Sequence, residues 1–131
     1  MNIVNKIYSS LKELLNRENT KAKKKQNWDS IEKRYIKMEF KDDIEMVHLI
    51  KSIRERGFDN TFYASTSLQS LLISKSEYDF HKNPNLSFSP LSAGGLAIRR
   101  SNEKGDTLLL QLPKCEYCSE IEELLNEFKN S

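Results

Sequence analysis

Residues 96–112, Leu-Ala-Ile-Arg-Arg-Ser-Asn-Glu-Lys-Gly-Asp-Thr-Leu-Leu-Leu-Gln-Leu, decide the fold. Two apolar runs, Leu96-Ala97-Ile98-Arg99-Arg100 and Thr107-Leu108-Leu109-Leu110-Gln111-Leu112, flank the polar stretch from Ser101 to Asp106. The pair Gly105-Asp106 supplies the turn signal, so the whole stretch reads as a β-hairpin. Upstream, the helical period is missing back to Thr61. Phe62-Tyr63-Ala64 and Leu68-Gln69-Ser70-Leu71-Leu72-Ile73 read as strands, Ser74 to Asn85 as a polar loop carrying Tyr78, Phe80 and His81, and Leu86-Ser87-Phe88 as a short strand ended by Pro90. Ser92-Ala93-Gly94-Gly95 lacks any phosphate-loop spacing and precedes a strand, so it reads as a connecting loop.

Outside this block the period changes to that of helices. Ile3, Val4, Ile7, Tyr8, Leu11, Leu14 and Leu15 predict an amphipathic helix over 2–17, with an apolar face typical of a helix packed on its own domain. Residues 20–27, containing Lys21, Lys23, Lys24 and Lys25, lose that period and read as a basic linker or a solvated extension. Ile36, Met38 and Phe40 alternate with Lys37 and Glu39, which predicts a strand. Asp42 or Asp43 can cap a helix whose stripe is Met46, Val47, Leu49, Ile50 and Ile53, with Gly57 as its left-handed stop. His48 falls opposite that stripe, toward solvent. Ser119-Glu120-Ile121-Glu122 fits a capping box, and Ile121, Leu124, Leu125 and Phe128 form the buried face of a last helix. The expected architecture is a single α+β domain. It has a mostly antiparallel sheet of five to six strands, with about three helices on one face.

Composition bounds the function. The 131 residues are 37% hydrophobic and 31% charged, enough for one core without staples. No apolar run approaches a membrane span. Glu13 and Glu18 interrupt the N-terminal stripe, so it does not read as an export signal, and two cysteines fit a reducing compartment. A cytoplasmic location is expected. The net charge of +2 is unevenly placed. Residues 1–40 carry ten Lys/Arg against five acids, and residues 41–131 carry eleven against fourteen.

Cys115-Glu116-Tyr117-Cys118 is the one chemical motif. A C-x-x-C ahead of a helix resembles thioredoxin-type redox sites, because helix amides stabilise a thiolate. Two features oppose that reading. Thirteen residues after Cys118 leave no room for the strands such a fold needs, and the charge of Glu116 raises a neighbouring thiol. Zinc would need His48 and His81 as further ligands, and these are not paired in sequence. There is no nucleophile–base constellation. The expectation is a protein that binds rather than catalyses and that needs no cofactor.

The stretch Phe62-Tyr63-Ala64-Ser65-Thr66-Ser67-Leu68-Gln69-Ser70-Leu71-Leu72-Ile73-Ser74, followed by an aromatic-acidic loop and Leu86-Ser87-Phe88, resembles immunity proteins of bacterial toxin systems, including contact-dependent growth inhibition. The resemblance covers about residues 60–90. It implies a stoichiometric inhibitor that binds one cognate toxin domain and blocks its active site. Nuclease toxins hold phosphates with basic residues, so acids and aromatics are the expected contacts. Two groups qualify: Glu77, Tyr78, Asp79 and Phe80, with His81 beside them, and Glu116, Tyr117, Glu120 and Glu123. The alternative is a nucleic-acid-binding accessory or regulatory protein using Lys21–Lys25. That run has no arginine and a single nearby aromatic, Trp28, which makes nucleic acid the weaker expectation. Sequence leaves the oligomeric state and the choice of face open.

Overall fold

The computed structural model describes the backbone of residues 3–37 and 41–131. Its elements are α1 (Ile3–Lys37), α2 (Lys41–Glu55), a 3₁₀ turn (Phe58–Asn60), β1 (Tyr63–Ser67), β2 (Ser70–Ser74), β3 (Asn85–Pro90), β4 (Leu96–Asn102), β5 (Gly105–Leu112) and α3 (Ser119–Asn130). The five strands form one antiparallel meander in the order β1-β2-β3-β4-β5. The α+β fold with three helices is as the sequence predicts.

The sheet buries one face. Leu71 and Ile73, Leu86 and Phe88, and Leu96 and Ile98 point into the core, with Leu72, Ser87 and Arg99 on the other side. The core is closed by Trp28, Ile31 and Tyr35 of α1, Met46, Leu49, Ile50 and Ile53 of α2, and Ile121, Leu125 and Phe128 of α3. Phe62 stacks on Phe58 and Phe128 at 6.0 and 5.5 Å between centroids. Arg54 of α2 ties the layers at the rim. Its guanidinium meets Asp29 at 2.7 Å, Asp59 at 3.1 Å and Glu32 at 3.8 Å. Burial alone would lower the Arg54 pKa, but the carboxylates of Asp29 and Asp59 outweigh it and raise the pKa.

The C-terminal half of α1 covers the open edge of β1 with side chains. Asn27 donates through Nδ2 to the Ala64 carbonyl (2.9 Å) and accepts from the Ala64 amide through Oδ1 (2.7 Å). The Trp28 indole donates to the Phe62 carbonyl at 2.9 Å, and the Tyr35 hydroxyl to the Gln69 carbonyl at 2.9 Å. The part of that edge at Phe62 and Ala64 is thereby unavailable to another strand. The opposite edge, β5, carries a bulge: Ile98 pairs with Leu110 and Arg99 with Leu108, so Leu109 is the extra residue.

Several expectations need correction. Residues 20–27 are not a linker. They are helical, and α1 runs unbroken from Ile3 to Lys37. Lys, Gln and Asn tolerate a helix, and no Gly or Pro interrupts it. Its N-terminal stripe does not pack on the domain, since Ile3, Val4, Ile7, Tyr8, Leu11, Leu14 and Leu15 are all 54% to 75% exposed. Ile36 and Lys37 belong to this helix rather than to a strand, and the rest of the strand expected there, residues 38–40, lies outside the described residues. Asp42 and Asp43 fall inside the first turn of α2, not before it. Leu68 and Gln69 are the β1–β2 turn instead of strand, with Leu68 left-handed at φ 56°. The β4–β5 turn is Glu103-Lys104, and Gly105 already pairs with Asn102. The N-cap of α3 is Cys118, not Ser119, and makes no side-chain cap bond, and the Glu122 carboxylate of the expected capping box is bonded to Tyr117 and Arg56. Gly57 (φ 84°) takes the left-handed turn expected after α2.

Candidate functional site

The loop from Lys75 to Pro84 is built by two buried polar residues paired across β2 and β3, Ser74 and Asn85. The Asn85 amide donates to the Phe80 carbonyl at 2.6 Å, and Ser74 Oγ accepts from the Ser76 amide at 3.1 Å. Asn83 donates to the carbonyls of Tyr78 (3.1 Å) and Asp79 (3.2 Å). The Lys82 and Asn83 amides also converge on the Asp79 carbonyl, and Asp79 takes a left-handed φ of 56°. This pinned backbone turns Phe80 partly inward and projects Tyr78, 71% exposed, between the exposed carboxylates of Glu77 and Asp79. The tip adjoins α1. Lys24 Nζ lies 5.3 Å from the centre of the Tyr63 ring, and burial, then the charges of Glu77 and Tyr78, raise the Tyr63 phenol.

The second predicted group is used differently. Tyr117 is half-buried against the core, and its hydroxyl donates to Glu122 at 3.1 Å. The Arg56 guanidinium sits 5.6 Å over its ring and 3.5 Å from Glu122. Burial and the Glu122 carboxylate push the phenol up to about 12. Glu116, Glu120 and Glu123 are exposed. Cys115 is buried with Sγ 3.5 Å from Met46 Sδ. The Cys118 thiol is raised by burial and then by Glu120, against the opposing pull of the helix amides, and Glu120 is lowered by its bond to that thiol. A raised thiol is a poor nucleophile, the reverse of what a redox C-x-x-C needs. His48 is exposed, as its position opposite the stripe requires, and borders a shallow cleft of about 460 Å³ with Glu45, Cys115 and Glu116. Among the described residues, no three His, Cys, Asp or Glu side chains converge as a metal site.

The two groups do not form one surface. Lys75 donates to the Ser131 carbonyl and, with Arg100, covers the Phe128 ring, so the Glu77–Phe80 loop sits at the C-terminal end of α3. Cys115 to Cys118 lie at the other end, about 18 Å away along twelve helical residues.

Two further surfaces escape sequence reasoning. One is the exposed apolar face of α1. The other is the open face of the sheet, a trough of about 360 Å³ in which Ser67, Ser70, Ser87, Ser89 and Ser101 surround Arg99. The alternating serines at 87 and 89 were its only signal. In the Lys21–Lys25 run, Lys21, Lys24 and Lys25 fall on one side of α1, within about 100° of each other, and Lys23 lies on another. Lys24 of that group sits against the Tyr63 ring.

No protein-family model, curated protein or solved structure matches the chain. No helix among the described residues is long and apolar enough to cross a membrane.

Proposed function

We propose that this chain is a stoichiometric inhibitor of the immunity type, which binds a cognate toxin domain in the cytoplasm and covers its active site with the Glu77–Phe80 loop. One observation carries the reading: Tyr78 stands 71% exposed between two carboxylates on a backbone fixed by Asn83 and Asn85. A rigid aromatic needs little ordering on binding, and aromatics are the side chains that most often anchor interfaces. Carboxylates on either side favour a basic partner and speed its approach. The group around Tyr117 suits this role less well, because its ring and Glu122 already serve each other.

The experiment is co-expression with the toxin domain encoded beside the chain, scored by survival, with binding kinetics on the purified pair. Glu77→Lys with Asp79→Lys is expected to slow association, and Tyr78→Ala to speed dissociation by tenfold or more, about 1.4 kcal/mol. Unprotected cells, or a complex indifferent to all three changes, would refute the proposal.

A further inference from the structure

We infer that two copies of this chain pair antiparallel through residues 3–15 of α1. The core-facing residues of that helix are Trp28, Ile31 and Tyr35. At 100° per residue, the stripe formed by Ile3, Val4, Ile7, Tyr8, Leu11, Leu14 and Leu15 is centred ~120° away from them. The same straight helix therefore cannot lay both faces on its own domain. Among the described residues, the first side chains of the helix to reach the sheet are those of Lys24, against the Tyr63 ring, and Asn27. The arm before them is helix with every residue from Ile3 to Lys23 exposed. Its exposed side chains present on the order of 700–800 Å² of apolar surface, beyond what monomers usually leave open. Two such faces together reach ~1,200 Å² or more, the size of a specific interface.

The pattern identifies the occupant as a second copy. Val4, Ile7, Leu11 and Leu14 follow 3-4-3 spacing, the seam of paired helices. Set antiparallel about Ser9, the seam is self-complementary: Val4 meets Leu14, Ile7 meets Leu11, and Ile3 meets Leu15 of the other copy. Charge selects this orientation. Continuing the heptads places Glu18, Lys21 and Lys25 on the seam. A parallel pair sets each against its own copy, like charge on like charge. The antiparallel pair sets none of the three against its own copy. The domains do not collide, because Leu15, beside Ile3 of the other copy, is nine residues or ~13 Å short of Lys24. An anionic membrane fits less well: residues 3–18 carry three basic and two acidic side chains, a net of only +1.

The test is sedimentation equilibrium of the full chain over a micromolar range, with buried Trp28 as a fluorescence check on the domain. Wild type and Leu11→Met are expected to dimerise. Leu11→Glu is expected to be monomeric with unchanged Trp28 emission. Val4→Cys/Leu14→Cys, oxidised and mapped by peptide mass, is expected to give a 4–14 crosslink. Those positions are ~15 Å apart within one helix, so the link must join two copies. A monomeric wild type, a dimer that survives Leu11→Glu, or links 4–4 and 14–14 would overturn the proposal. So would a monomer that pellets with anionic vesicles and loses that binding with Leu11→Glu.

Discussion

Replacing Asn27 with alanine tests how α1 is held to the sheet. Asn27 pairs with both backbone groups of Ala64, at 2.9 and 2.7 Å, on the side of β1 that has no neighbouring strand. Ala64 is buried, so water cannot readily replace the lost partner. Two hydrogen bonds at about 1 kcal/mol each, plus part of the penalty for two stranded backbone groups, give a loss of about 2–4 kcal/mol. That is a large share of the ~5–15 kcal/mol typical of a domain. With a urea slope of about 1.5–2 kcal/mol/M, the midpoint is expected to fall by ~1–2.7 M. Emission from buried Trp28, the next residue, reads the transition directly. Gln26→Ala, one position earlier and exposed, is the control and is expected to stay within ~0.5 kcal/mol of wild type. An Asn27→Ala protein as stable as that control would show that the pairing with Ala64 does not hold the helix.

Other substitutions probe separate parts of the fold. Arg54→Met removes the shared partner of Asp29 and Asp59 and leaves the buried Asp59 carboxylate uncompensated, so a loss of ~3 kcal/mol is expected in the same urea assay. Gly95→Ala is expected to be far more damaging than Gly94→Ala. Both glycines have positive φ, but a Cβ on Gly95 would lie 2.5 Å from the Leu112 carbonyl oxygen, whereas one on Gly94 meets nothing within 4 Å. Leu68→Gly is expected to raise the melting temperature, relieving about 1 kcal/mol of left-handed strain at a turn residue that is 93% exposed. Tyr117 is protonated in the folded chain up to about pH 12, against about 10 when unfolded. The fold therefore holds this proton more tightly, and the associated stability is present below pH ~10 and lost as pH rises toward 12. Ultraviolet titration should show late-ionising phenols, and Tyr117→Phe should remove one of them while that of Tyr63 stays.

Much of the sheet was legible because the strands alternate cleanly. Leu71 and Ile73, Leu86 and Phe88, and Leu96 and Ile98 are buried as their period of two requires. The last helix was legible for the same reason, with Ile121, Leu125 and Phe128 inside. The long first helix was not. Its two apolar faces lie ~120° apart, so periodicity breaks at the lysines although the backbone does not. The spacing of Trp28, Ile31 and Tyr35 was present in the sequence, but three residues across two turns give a weak signal. Three alternating residues at 36, 38 and 40 were equally weak evidence for a strand. For the candidate site, sequence identified acids beside aromatics but not their surroundings. The partners that separate Tyr78 from Tyr117 are Asn83 in one case and Glu122 with Arg56 in the other, and none announces itself in composition.

The meander order has a kinetic consequence. Each strand pairs with the next through connections of two, ten, five and two residues, so closing every ladder costs little chain entropy. Such local pairings form quickly. The distant event is the meeting of α1 and α3, whose Trp28 and Phe128 lie a hundred residues apart in the chain yet share one core. The contacts that close the longest stretch of chain are therefore those of these two helices, and Phe62, which receives the Trp28 indole at its carbonyl and the Phe128 ring on its face, is the post at which both arrive.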